Sequence, residues 1–306
     1  MTHLLSLETM SADDMRQVLE LAAHLKATRA DQTFQPLAGQ TWAMIFMKAS
    51  TRTRVSFEVG VQELGGRVLY LNATDTQLGR KEPIKDTARV LGRMVHGAII
   101  RTFAQQDIVD FAHYSQLPTI NALTDDEHPC QVLADLLTMI ERCGGYQGKK
   151  VVFMGDGDNN MSKSWMWAAE KLDFQLVICA PPAYQPTASY LARFKSGNIT
   201  CEPDPAEAVA GADVLYTDVW VSMGMEEETQ KRLADLAPWQ INSALTTKAA
   251  PDAIVMHCLP AYRGQEISEE CLEAHAGTIF QEAENRLHAQ KAILTLLGSP
   301  AGQISG

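Results

Sequence analysis

The chain has 306 residues, 46% hydrophobic and 21% charged, which suits a globular protein large enough for two domains with full cores. A formal charge of −11 and a pI near 5.2 exclude a broad electrostatic footprint for nucleic acid, so any anion must be held by a local basic cluster. No stretch approaches the roughly 18 apolar residues of a membrane span, and Met1–Leu7 lacks the basic start of a signal peptide. Six cysteines without a Cys-x-x-Cys pair read as reduced thiols of a cytoplasmic protein.

Ser11-Ala12-Asp13-Asp14 has the form of a capping box that opens a helix. The apolar run from Trp42 to Met47 predicts a strand over 41–47, followed directly by Ser50-Thr51-Arg52-Thr53-Arg54. Val55, Phe57 and Val59-Gly60-Val61 continue at mixed helical spacing, which places the hydroxyls at a helix start, where N–H groups lack intrahelical partners. Such a start flanked by arginines suits a dianion. The competing reading is a helix cap with solvated arginines. It is disfavoured because arginine at the positive end of a helix dipole needs an anion to offset it.

Further strands are expected at 67–71, 97–101 and 118–121, with helices near 53–64, 84–95 and 106–115 and Pro83 in a first helical turn. The pattern breaks at Gly144–Gly148, after a helix near 130–142, and resumes with strands Lys150–Met154, Leu176–Cys179 and Val214–Thr217. Asn285–Leu297 reads as an amphipathic helix that packs back on the first domain. This alternation predicts an α/β protein of two doubly wound parallel-sheet domains. The expected domains are 1–137, joined by a C-terminal helix 285–306, and 138–284.

In open α/β sheets, ligands sit beyond the carboxyl ends of strands. Polar clusters fall at those ends: Ser50–Arg54, Arg101, Gly155–Asn160, Asp218–Gly224 and His257-Cys258-Leu259-Pro260. Both domains are therefore expected to face one cleft. Gly155-Asp156-Gly157 invites a dinucleotide reading, but Asn160 replaces the third glycine and no acid follows the next strand. Asn159-Asn160 instead offers amides for a zwitterion's carboxylate. His128-Pro129-Cys130-Gln131 and His257-Cys258 could in principle hold zinc. Their spacing is not that of a zinc module, and His257 and Cys258, adjacent on an extended segment, should project to opposite sides. Arg101 ends an apolar strand, where it needs an anion or a structural carboxylate. Glu226-Glu227-Glu228 reads as a solvated face, Trp165 and Trp167 as packing, and the competing reading of Asp218 and Ser222 is as caps of a helix from about 225.

Taken together, Ser50–Arg54, His128–Gln131, Asp218–Gly224 and His257–Pro260, with Gln77–Ile84 and Glu282–His288, resemble the aspartate and ornithine carbamoyltransferase superfamily, and within it the ornithine branch. The matching segments occur in the family's order over nearly the whole chain. Met47, where the family often has an acid, and Asp158 in the glycine-rich turn are small departures. The resemblance implies carbamoyl transfer from carbamoyl phosphate to the δ-amine of L-ornithine, giving L-citrulline and phosphate without metal or organic cofactor. It implies that Ser50, Thr51, Arg52 and Thr53 hold the phosphate, that Arg101, His128 and Gln131 bind phosphate or carbamoyl group, and that Arg286 and the Cys258-Leu259 backbone complete the donor site. Gln77 would come from a neighbouring subunit of a homotrimer or a multiple of trimers. Asn160, Asp218, Ser222 and Met223 match ornithine-binding positions.

The chemistry bears on these roles independently. Presenting an amine of pKa near ~10.4 as a neutral nucleophile at pH 7 costs about 4.6 kcal/mol. A carboxylate stabilises the charged form, so Asp218 suits the α-ammonium, while Cys258 suits the δ-amine as proton acceptor or orienter. The leaving phosphate is the other candidate acceptor. Arg101, His128 and Thr53 suit the carbonyl oxygen as charge develops on it. The alternatives are another acceptor within the superfamily, such as aspartate, whose enzymes resemble His-Pro-Leu-Pro where this chain has His257-Cys258-Leu259-Pro260, or a binding protein that has lost turnover. Arg52, His128, Asp218 and Cys258 are all present, which disfavours such a relic.

Overall fold

The structure, a computed structural model, describes residues 1–31, 33–72, 82–222, 224 and 226–299. The chain forms two compact units, Met1–Leu137 with the segment from Glu284, and Thr138–Ala283.

In unit 1, α1 (Ala12–Ala27) precedes β1 (Thr41–Phe46), α2 (Thr51–Glu63), β2 (Arg67–Asn72), α3 (Ile84–Leu91), β3 (Gly97–Arg101), α4 (Gln105–Ser115), β4 (Thr119–Leu123) and α5 (Pro129–Cys143). Ser11 caps α1 by accepting the Asp14 N–H at 3.0 Å. The four strands are parallel in the order β2-β1-β3-β4. β1 and β3 are buried along nearly their whole length, because helices cover both faces of such a sheet. Ala43, Ile45, Ala98 and Ile100 form one face of a core with Ala88, Leu91, Ile108 and Phe111.

In unit 2, β5 (Lys150–Met154), α6 (Asn160–Lys171), β6 (Gln175–Cys179), α7 (Ala188–Leu191), β7 (Ile199–Cys201), α8 (Pro205–Val209), β8 (Val214–Thr217), α9 (Thr229–Leu236), α10 (Ser243–Thr246), β9 (Ile254–His257) and α11 (Glu269–Ala274) lead into α12 (Ala276–Gly298). Five parallel strands run in the order β7-β6-β5-β8-β9. Trp165 packs edge-on against Tyr216, centroids 5.2 Å apart, and is fully buried, so it is packing as expected.

Two boundaries differ from the sequence expectation by more than two residues. The helix after Pro83 stops at Leu91, where Gly92 ends it, and Pro83 itself is the extended residue before the helix. The last helix begins at Ala276, not Asn285. Ile279 and Ala283 extend its apolar spacing, and the intervening Gln281, Glu282 and Glu284 hide it in the sequence.

Strand order reverses between β1 and β3 in unit 1 and between β5 and β8 in unit 2. At such switch points adjacent loops diverge to opposite faces and leave a crevice at the carboxyl ends. Ser50–Thr53 follows β1 and Arg101 ends β3; Gly155–Asn160 follows β5 and Asp218 follows β8.

Candidate active site

At the switch point of unit 1, Ser50 is the N-cap of α2. Its Oγ accepts the Thr53 N–H at 3.3 Å and donates to Thr53 Oγ1 at 2.9 Å. Thr51 is exposed on the first turn, Arg52 half-buried and Thr53 fully buried. Arg286, buried on α12, donates from Nη2 to Thr53 Oγ1 at 2.6 Å. Arg54 leaves this group. It pairs with Glu58 at 3.3 Å and lies 3.8 Å over the Tyr70 ring, so the solvated-arginine reading holds for Arg54.

Arg101 is buried at the end of β3, and His128 is buried immediately before α5. Burial holds the His128 imidazole well below its ordinary pKa, and the Arg286 and Arg101 guanidiniums push it further the same way. The ring is therefore neutral at pH 7 and offers an N–H without adding charge. Cys130 is a bystander: its thiol donates to the Asn121 carbonyl at 3.3 Å, and burial pushes its pKa up to about 12. Gln131, fully buried in the first turn of α5, donates from Nε2 to Asp135 Oδ1 at 2.8 Å. Lys48 is ion-paired with Asp125 and lies 4.3 Å from the Phe103 ring centre, which fixes the loop leading into Ser50. Two buried guanidiniums, a neutral imidazole and a helix start together can receive a compact anion.

In unit 2, Asp218 is buried beyond β8, and its Oδ1 accepts the Cys258 S–H at 2.9 Å and the Val219 N–H at 2.7 Å. Burial raises the Asp218 pKa above the ordinary range, against the opposing pull of His257 and of these two hydrogen bonds. His257 is fully buried; its Nδ1 accepts the Leu259 N–H at 2.9 Å, so the ring proton sits on Nε2, 3.0 Å from Glu266 Oε1. Its backbone N–H donates to the buried Glu282 carboxylate at 2.8 Å.

The expectation that His257 and Cys258 point apart is incorrect. One ligand atom each from Asp218, His257 and Cys258 lies within 4.8 Å of the others. β9 ends at His257 and Leu259 turns to a φ of 55°, so strand alternation does not extend to Cys258. A metal ion there would have to displace one of the hydrogen bonds that already engage the three side chains.

Asn159, not Asn160, caps α6, accepting the Ser162 N–H at 2.8 Å; Asn160 is the first helical residue and half-buried. Ser222 is half-buried, and no helix caps directly on it, since a 3-10 turn over Glu226–Glu228 precedes α9. Gln77 and Met223 lie outside the described residues. The glycines of the β5–α6 turn serve packing: a Cβ on Gly157 would meet Ile178 Cγ2 at 2.5 Å, and Gly155, at φ +120°, would bring one to 3.0 Å from Trp220 Nε1. Arg232 holds the same turn, ion-paired with buried Asp156 while its Nε donates to the Trp220 carbonyl at 2.6 Å.

Asp135, Arg232 and Glu266 lie outside every motif singled out in the sequence, while Asp156 and Glu282 fall within such motifs but were given no role of their own. Asp135 had a usable signal, a carboxylate one turn past Gln131 on an apolar helix. Arg232 had none, because its partner lies 76 residues away.

Residues 2–141 match the family model described as the aspartate/ornithine carbamoyltransferase carbamoyl-P binding domain, and residues 147–297 match the Asp/Orn binding domain of the same family. An ornithine carbamoyltransferase of Akkermansia muciniphila is 56% identical over 299 residues, covering 97% of this chain and 98% of the relative. An anabolic ornithine carbamoyltransferase of Pseudomonas aeruginosa is 48% identical over 296 residues, 96% of each chain. Among solved structures, the ornithine carbamoyltransferase of Pyrococcus furiosus superposes with a TM-score of 0.90 at 44% identity, covering 96% of both chains.

Proposed function

The chain belongs to the aspartate/ornithine carbamoyltransferase family, and from that membership we infer that it transfers the carbamoyl group of carbamoyl phosphate to the δ-amine of L-ornithine, giving L-citrulline and phosphate. The observation that carries the choice of acceptor is the buried Asp218–Cys258 pair, 2.9 Å apart. A carboxylate and a thiol suit an acceptor bearing ammonium groups, and would repel the additional side-chain carboxylate of aspartate.

In this reading Ser50, Thr51, Arg52, Thr53 and Arg286 bind the phosphate. Arg101, His128 and Thr53 donate to the carbamoyl oxygen, where negative charge grows as the amine attacks; fixed donors in a buried site need no reorganisation at that moment. Gln131 receives the carbamoyl –NH2 group, and the Cys258-Leu259 backbone completes the donor's surroundings. Asn160, Asp218, Ser222 and Met223 bind the α-amino acid end of ornithine, and Cys258 orients the δ-amine. The N–C bond forms as the C–O bond to phosphate breaks. In this reading the departing phosphate takes the amine proton as its oxygen gains charge, and the Cys258 thiol, which still carries its own proton and donates it to Asp218 Oδ1 at 2.9 Å, orients the amine. Arg101, His128 and Cys258 are thus the catalytic residues. Holding both substrates in line contributes about 7–11 kcal/mol, more than any single proton transfer.

We place citrulline synthesis in arginine metabolism in the anabolic direction, as the name of the Pseudomonas aeruginosa relative states of that enzyme. A homotrimer, with Gln77 reaching a neighbouring subunit's site, is supported by apolar exposure on unit 1: Val55, Leu69 on the edge strand β2, Val90 and Met94. Full activity in a demonstrated monomer would refute it. A cytoplasmic site of action is supported by six cysteines without disulfides and, among the described residues, by no helix long and apolar enough to cross a membrane. The deciding experiment supplies carbamoyl phosphate with ornithine, putrescine, N-acetylornithine or aspartate and measures carbamoylated product. Citrulline should dominate, and preference for any other acceptor would overturn the assignment.

A further inference from the structure

Asp135 is fully buried on α5, one helical turn past Gln131, and its Oδ1 accepts the Gln131 Nε2–H at 2.8 Å. A carboxylate offers acceptors only, so an amide bonded to it turns its –NH2 toward the acid and its carbonyl oxygen the other way. We propose that Asp135 is a specificity-determining positioning residue: it fixes the Gln131 amide so that Oε1 is the atom offered to the donor, which selects carbamoyl phosphate over acyl phosphates with a methyl group in place of –NH2. This rests on the reading that unit 1 binds carbamoyl phosphate.

The donor has three parts with different needs. Its phosphate needs cations and N–H groups, which the start of α2 and the arginines supply. The carbonyl oxygen needs donors, and Arg101, His128 and Thr53 are that. Only the –NH2 group needs an acceptor, and every side chain just named presents a donor to the ligand. Gln131 stands beside His128, whose carbonyl accepts the Gln131 N–H at 3.1 Å, and it is an acceptor there only in the orientation Asp135 enforces. Turned over, the amide would set donor against donor. A site built to bond an N–H rejects the analogue lacking it far better than an apolar pocket rejects an extra methyl.

The test measures KM for carbamoyl phosphate and the inhibition constants of acetyl phosphate and inorganic phosphate in the full-length enzyme and in Asp135→Asn. Asparagine at 135 can donate as well as accept, so the constraint that the carboxylate places on the Gln131 amide is lifted. The ratio of the acetyl phosphate constant to the carbamoyl phosphate KM should fall about tenfold or more, while inorganic phosphate and ornithine shift by less than about twofold. Gln131→Ala should collapse the same ratio, and adding Asp135→Asn to it should change nothing further. An unchanged ratio in folded Asp135→Asn, or an equal weakening of inorganic phosphate, overturns the proposal. Absence of citrulline formation by the unaltered enzyme would overturn the functional reading instead. If Asp135→Asn does not fold, a neutron crystal structure of the unaltered enzyme with phosphonoacetamide, which distinguishes the amide nitrogen from its oxygen, decides. Gln131 Oε1 at hydrogen-bond distance from the amide nitrogen supports the proposal, and Nε2 in that place sinks it.

Discussion

The two switch points are topological equivalents with opposite chemistry. In unit 1 the groups of the proposed site stand on regular elements: Thr53 on α2, Gln131 on α5, Arg286 on α12 and Arg101 at the end of β3. Apart from Gln131 they are cationic or neutral donors. In unit 2, Asp218, Ser222 and Cys258 lie on loops beyond β8 and β9, and the local chemistry is a carboxylate and a thiol. Those loops are held from below by buried pairs, His257 with Glu266 and Asp156 with Arg232. Parallel topology thus supplies two equivalent places, and under the proposed function their side chains suit one to an anion and the other to an ammonium.

That division of labour can be broken by substitution. Arg101→Met should produce the largest effect, lowering kcat/KM for carbamoyl phosphate by about 10³-fold through loss of a fixed cationic donor. Its KM for ornithine should stay within a few-fold of the unaltered enzyme. Cys258→Ala comes next, with kcat down about 10²-fold and the dissociation constant of carbamoyl phosphate within about threefold. Steady-state kinetics with each substrate varied in turn, plus equilibrium binding of carbamoyl phosphate, measures both. Full activity of Cys258→Ala would end its role at the amine. If each variant instead disturbed the other substrate, the assignment of chemistry to units would be wrong.

A smaller effect sharpens the contrast between helix-borne and loop-borne groups. Arg232→Met leaves the Asp156 carboxylate buried without its cation, which costs about 3–5 kcal/mol of stability. Adding Asp156→Asn removes the stranded charge, so the double variant should melt above the single one. Calorimetry of the two proteins reads this directly, and equal midpoints would show that the ion pair is not what holds the turn.

The two parallel sheets were legible in the sequence because buried strands such as Ala98-Ile99-Ile100 and Val151-Val152-Phe153 are apolar runs bounded by polar breaks. The helix start at Ser50 was legible for a related reason, since its cap is local and engages Thr53, three residues on. What escaped was whatever depends on distant partners. Glu266 and Arg232 look like surface charges in the sequence, yet they are buried because His257 and Asp156 meet them in space. The start of α12 escaped because Glu282, a charge in an apolar stripe, is there to bond the His257 N–H. The side-by-side placement of His257 and Cys258 escaped because the strand period was carried one residue too far.

The smallest expected effect is a pair of opposing pH dependences. The unfolded chain protonates His128 near the ordinary 6.5, whereas in the fold burial and then Arg286 and Arg101 keep the ring neutral to lower pH. Below about 6.5 the unfolded state therefore binds the extra proton, and this residue's contribution to stability is lost as pH falls toward the folded value. Asp218 acts the other way. Burial keeps its proton on above the ordinary 3.8, so its contribution is greatest at acid pH and is lost as pH rises through the raised folded value. Thermal midpoints measured from about pH 4 to pH 7 should separate them: His128→Gln flattens the acid-side loss, and Asp218→Asn steepens it. Parallel curves for the three proteins would mean that neither group titrates differently in the fold, and the electrostatic contrast between the two switch points would lose its quantitative support.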